Sequence, residues 1–190
     1  MNYRFHSCIH RPRRQQWGAS LIEILISMAV LTTGLMGTAR LQAVSLRAAT
    51  DSSNQGMAAR VGYDMADRIR LEPAQIDAYI AAAALDLSAD SSGACYSGSG
   101  CVGADRVRAT VAEWQRLLAV QLPGGVGTVC RDATPYDGTG PADAQCTGGA
   151  SDPLVVKTWW RARAWQEATA ADGANPNGVQ TQQFVAMVGL

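Results

Sequence analysis

From Ala19 to Ala39 the chain runs for 21 residues with a single charge, Glu23. As a helix rising about 1.5 Å per residue, this run matches the roughly 30 Å hydrocarbon core of a bilayer. The helical signal continues beyond it. No proline occurs between Ala19 and Glu72, and Ala58, Val61, Met65 and Ile69 recur at helical spacing within a segment rich in Ala, Arg, Gln, Met and Leu. The pattern predicts one helix of about 54 residues, roughly 80 Å long. Its part over 19–39 is apolar all round and its part over 40–72 is one-sided, the shape of an anchor whose distal half packs on a globular head. Gly34 and Gly37 weaken the helix locally by about 1 kcal/mol each relative to alanine. Close packing against another helix accounts for them, and so does a place where the helix bends.

After Pro73 the periodicity changes. The Ala-rich segment PAQIDAYIAAAALDL predicts a short helix, and a Gly/Ser loop containing Cys95 and Cys101 follows. Over 106–122, Val107, Val111, Trp114, Leu118 and Leu122 share one helical face, and the PGG at 123–125 ends that helix in a turn. VGTVCRD reads as a strand, 132–153 as a long polar loop containing Cys146, and PLVVKTWWRARAW and QTQQFVAMVGL as further strands. Strands behind a long helix make an α+β head over 73–190. Trp159 and Trp160 are consecutive in a strand and face opposite ways, so one is expected in the core and the other at the surface, either shielded there or meeting solvent or a partner.

Composition narrows the classes. At 190 residues the chain has room for one domain and an appendage, and its 47% apolar content is too high for a disordered protein. The net charge of zero hides an asymmetry: residues 1–18 hold Arg4, Arg11, Arg13 and Arg14 and no acid, leaving 12 bases against 16 acids in the remainder. A mildly acidic body argues against nucleic acid held by bulk charge. Arg106, Arg108, Arg161 and Arg163 accordingly read as solvated helix-end and strand charges. Both histidines, His6 and His10, precede Gly18, so a chain lacking 1–18 has no imidazole for Ser-His-Asp or Cys-His catalysis or for a His-ligated metal. The body's four cysteines are separated by five, 28 and 15 residues, without a Cys-x-x-Cys knuckle. Disulfides formed in an oxidising compartment fit better. Cys95 with Cys101 and Cys130 with Cys146 is the preferred pairing of the three possible, because both loops are local and Gly-rich.

The arginines before the apolar run favour a cytoplasmic leader and deliver the body to the other side. A secretory signal peptide has a shorter apolar core and a small-residue cleavage site after it, whereas here the small residue, Gly18, comes first. A carboxylate within a span costs a few kcal/mol and calls for a partner or a function. At the cytoplasmic end Glu23 can simply reach the interface. Alternatively, a cut after Gly18 gives Ala19 a charged α-amine, and Glu23, as fifth residue of the new chain, can pair with the amine of another subunit.

The stretch GASLIEILISMAVLTTGLMGTARLQ resembles the start of a type IV prepilin: glycine, cut, a usually aromatic residue, Ser or Thr, two apolar residues, glutamate, then an apolar helix. Gly18, Ser20 and Glu23 match that order, and Ala19 stands where the family usually has Phe or Met. The resemblance implies a type IV pilin-like fold, a long N-terminal helix packed on a small antiparallel sheet. It implies cleavage between Gly18 and Ala19 by a prepilin peptidase, N-methylation at Ala19, and roles for Ser20 and Glu23 in assembly. The segments 1–18, 19–39, 40–72 and 73–190 become a cleaved basic leader, a membrane-spanning and assembly half-helix, an amphipathic half-helix and a periplasmic head.

A looser resemblance, carried by WQRLLAVQLPGGVGTV and LVVKTWWRAR, is to the PilV family of minor pilins, the type IV pilus modification proteins. It implies a low-abundance subunit that works with other minor pilins, the major pilin and a PilY-type protein in priming or at the tip. The chain would reside in the inner membrane and then in the pilus at the cell surface. No cofactor, metal, nucleic-acid partner or enzymatic activity is expected. Minor pseudopilins of type II secretion share the same start and are the nearest alternative, and a membrane-tethered periplasmic enzyme is a lower one.

Overall fold

A computed structural model describes residues 20–88, 95, 98, 100–163 and 179–189. Gly18, Ala19 and the leader lie outside the described residues. Helix α1 runs from Leu21 to Leu71, 51 residues. The Ser20 carbonyl accepts its first hydrogen bonds, from the N–H groups of Glu23 at 2.9 Å and Ile24 at 3.3 Å. In the apolar part, the hydroxyls of Ser27, Thr32, Thr33 and Thr38 donate to carbonyls three or four residues earlier. These polar groups therefore need nothing from their surroundings. Arg68 and Arg70 occupy the last turn, where cations complement the helix dipole. Pro73, which disfavours helical backbone at Glu72, then opens a 3-10 turn over Pro73–Gln75.

The chain divides into two compact units, Met1–Arg47 and Ala48–Leu190. In the first, the described side chains of α1 are almost all exposed, among them Leu21, Leu25, Leu31 and Met36.

The second unit contains the rest of α1, α2 (Ile76–Ala83), α3 (Gly103–Gln121) and strands β1 (Val126–Arg131), β2 (Leu154–Arg163) and β3 (Val179–Val188). The strands form an antiparallel sheet in the order β1-β2-β3, with Val129 opposite Val156 and Val156 opposite Ala186. Alternation sends Val129, Leu154, Val156, Trp160, Ala186 and Val188 to one face. There they share a core with Ala58, Val61, Met65 and Ile69 of α1, Tyr79 of α2, and Val111, Trp114 and Leu118 of α3. The stripe at helical spacing in the sequence is thus the buried stripe of α1.

This is the α+β architecture expected of a pilin, with the long helix packed on a small antiparallel sheet. Gly127 explains how closely α3 approaches: a Cβ there would lie 2.5 Å from the tip of the Trp114 ring and 2.8 Å from a Leu118 methyl. The Trp114 Nε1–H donates to the Val61 carbonyl at 3.1 Å and ties α3 to α1.

One expectation is corrected. Trp159 and Trp160 do face opposite ways, yet each is only 1% exposed. The sheet is covered on both faces at this register, so alternation brings neither indole to solvent.

Candidate functional site

Two regions carry chemistry. The first is the N-terminal end of α1. Ser20 precedes the helix and Glu23 lies in its first turn, where a negative charge is favoured by the unpaired N–H groups. Around and beyond Glu23 the helix exposes a continuous apolar surface, from Leu21 at 82% to Leu46 at 70% exposure, while an 18-residue window has a mean hydropathy of 1.7. That helix is long and apolar enough to cross a membrane. A surface this large is not left to water in a soluble monomer.

The second region lies on the outer face of the sheet. Lys157 points away from the helices, under the loop 132–153, and its side chain is fully buried. Its ammonium forms an ion pair with the equally buried Asp132. It also donates to the Ala144 carbonyl at 2.8 Å and to Asp137 Oδ1 at 3.2 Å. With the Asp137 carbonyl at 3.4 Å as well, the ammonium's donors are surrounded by acceptors from the loop, as burial of an ammonium demands. Asp132 Oδ1 accepts from the Thr134 N–H at 2.9 Å, and the Thr134 hydroxyl stands 2.6 Å from Asp137 Oδ2 and 3.4 Å from Asp132 Oδ1. Burial pushes the Asp132 carboxyl upward, but the hydrogen bond and charge of Lys157 and the bonds from Thr134 outweigh it, holding the carboxyl below its ordinary value.

The loop is held at its root by the Cys130–Cys146 disulfide, and Cys95 is bonded to Cys101. Within it Asp152 accepts from the Thr147 hydroxyl and the Gly149 N–H, and Gln183 of β3 donates to the Asp137 carbonyl at 3.2 Å. Cys130, Asp132 and Cys146 converge, but with both sulfurs in a disulfide they offer no thiolate pair to a metal.

A cleft of ≈ 350 Å³ opens between the end of α2, α3 and β1, and among the described residues Asp86 is the one ionisable group lining it. Hydrogen bonds from the hydroxyl and the backbone N–H of Ser88 hold that carboxyl below its ordinary value. Of the four arginines read as solvated charges, Arg106 bonds Glu72 at 2.7 Å and Arg161 is exposed on β2.

Compared with protein families, curated proteins and solved structures, the chain matches none. The geometry itself is what remains to be interpreted. The long apolar helix and the α+β head are plain; the buried lysine was missed in the sequence. A usable signal existed: of the 16 lysines and arginines, Lys157 is the only lysine, and it directly follows the apolar run Leu154, Val155 and Val156.

Proposed function

We propose that this chain is a minor type IV pilin of the PilV kind. In this reading it is processed by a prepilin peptidase between Gly18 and Ala19, held in the inner membrane by the first part of α1, and assembled with other minor pilins, the major pilin and a PilY-type tip protein. It acts by assembly rather than by catalysis, in priming the pilus or at its tip. The observation that carries the reading is the exposed apolar first part of α1, whose single carboxylate is Glu23. A bilayer covers such a surface before assembly, and the helices of neighbouring subunits cover it afterwards. The two disulfides of the head suit an oxidising periplasm.

Glu23 then has a defined task. Inside a filament an unpaired charge among apolar helices is costly, so an incoming subunit is favoured at the register where its Ala19 amine meets a neighbour's Glu23. The pair works as a docking check more than as a source of stability. The test is the amount of each variant in sheared pili relative to membranes. Glu23→Gln and Glu23→Leu should both be cleaved and inserted normally yet be depleted from pili, with Leu no better than Gln although it suits the bilayer better. Wild-type incorporation of Glu23→Leu would remove the carboxylate from assembly.

A further inference from the structure

The buried cluster on the outer face of the sheet contains more than an ion pair requires. We propose that Lys157 and Asp132 condense spontaneously to an intramolecular isopeptide bond, joining β2 to the loop that follows β1. The site supplies a primary amine, a carboxyl in contact with it, a second carboxylate within reach of the amine, and no access for water to Lys157 or Asp132. It holds the chain's only lysine, whereas every other basic residue is an arginine, whose guanidinium cannot act as this nucleophile.

The ion pair is the resting state, and reaction passes through its less populated neutral tautomer, within reach because the two side chains touch with no water at either. One proton passes from the ammonium to Asp132 Oδ2, leaving an amine with a free lone pair and a neutral carboxyl. The amine attacks Asp132 Cγ, forming the N–C bond, and negative charge develops on Oδ1. The Thr134 N–H, 2.9 Å from Oδ1, already points at that charge. Asp137 Oδ1, 3.2 Å from Nζ, takes the second proton and returns it to Oδ2, with the Thr134 hydroxyl on its other oxygen keeping the carboxylate oriented. The Cγ–Oδ2 bond breaks and Oδ2 leaves as water carrying both protons. An amide N–H remains, and no oxidant or co-reactant is consumed. The carbonyl of Ala144 holds Nζ in place during the approach. Holding the amine and the carboxyl in contact makes an otherwise slow condensation effectively unimolecular.

The experiment is an intact mass of the full-length protein purified from membranes, after denaturation, disulfide reduction and alkylation. The bonded chain is lighter by one water than the mass calculated for its observed N-terminus with alkylated cysteines, and a protease that cleaves only after lysine leaves it uncut because its one lysine is acylated. Fragmentation should recover the peptides containing residues 132 and 157 as a branched pair. Asp137→Ala should restore the missing water and the cleavage after Lys157, since it removes the proton carrier while leaving both reacting groups. A wild-type chain of full mass that is cut after Lys157 overturns the proposal, and this readout needs no variant to fold. An Asp137→Ala protein that still lacks the water overturns the role given to Asp137.

Discussion

The contact between Trp114 and Gly127 sets how α3 lies on the sheet, and it can be tested as a pair. Gly127→Ala places a Cβ 2.5 Å from the outer atom of the indole, 2.8 Å from a Leu118 methyl and 3.0 Å from the Lys157 carbonyl. Forcing a methyl into a packed core costs about 1–3 kcal/mol, reduced by about 0.4–1 kcal/mol because alanine restricts the unfolded chain more than glycine does. Trp114→Phe removes the atom nearest residue 127 and the hydrogen bond to the Val61 carbonyl, the latter worth about 1 kcal/mol. Each single change should therefore destabilise. In the double variant the new methyl enters space the indole has left, and only the mobile Leu118 methyl and the Lys157 carbonyl still crowd it. The loss should then fall short of the sum of the singles by about 1 kcal/mol, within the range for residues in contact. Denaturant unfolding of the four detergent-solubilised proteins, followed by near-UV circular dichroism, gives the midpoints and slopes required. Additivity to within about 0.3–0.5 kcal/mol would mean that the indole does not lie over residue 127.

Three further outcomes are expected. In Asp137→Ala the Asp132–Lys157 pair remains ionic; a carboxyl held below its ordinary 3.8 stabilises the fold above that pH and loses this contribution as pH falls through its folded value. Bonded wild type has no such carboxyl, so thermal melts of the variant should decline more steeply below pH 3.8. Replacing Cys130 and Cys146 together by alanine should cost about 2–4 kcal/mol in chemical denaturation, mainly by freeing the unfolded chain on a loop-entropy argument. Deleting the chain from its host should reduce surface piliation while leaving the major subunit's membrane pool intact, counted by electron microscopy and immunoblot; normal pili in normal numbers would refute a role in initiation.

Local pattern was enough for the elements. The stripe Ala58, Val61, Met65 and Ile69 is buried as its spacing implied, and the turn at PGG falls where α3 gives way to β1 because Gly124 adopts a φ of 61°. Helix and strand periods are properties of neighbouring residues and survive folding unchanged. The buried cluster is different in kind. Lys157 meets Asp132, Asp137 and Ala144 only once β1 and β2 are in register and a loop of irregular backbone, with Gly138 and Gln145 at positive φ, has folded over them. No repeat in the sequence encodes that contact. The tryptophans teach the same lesson: alternation gives the direction of each indole correctly, whereas burial depends on what covers each face. At the other end, the proposal of a cut and a presented charge rests on the order of Gly18, Ser20 and Glu23 in the sequence alone.

The account rests most directly on that cut. Mass spectrometry of the protein isolated from membranes of its own host should find a mature N-terminus at Ala19, with or without a methyl group, and the chain beyond it intact through the apolar helix. An N-terminus at Ala39 or later, marking a conventional signal peptide, would contradict it.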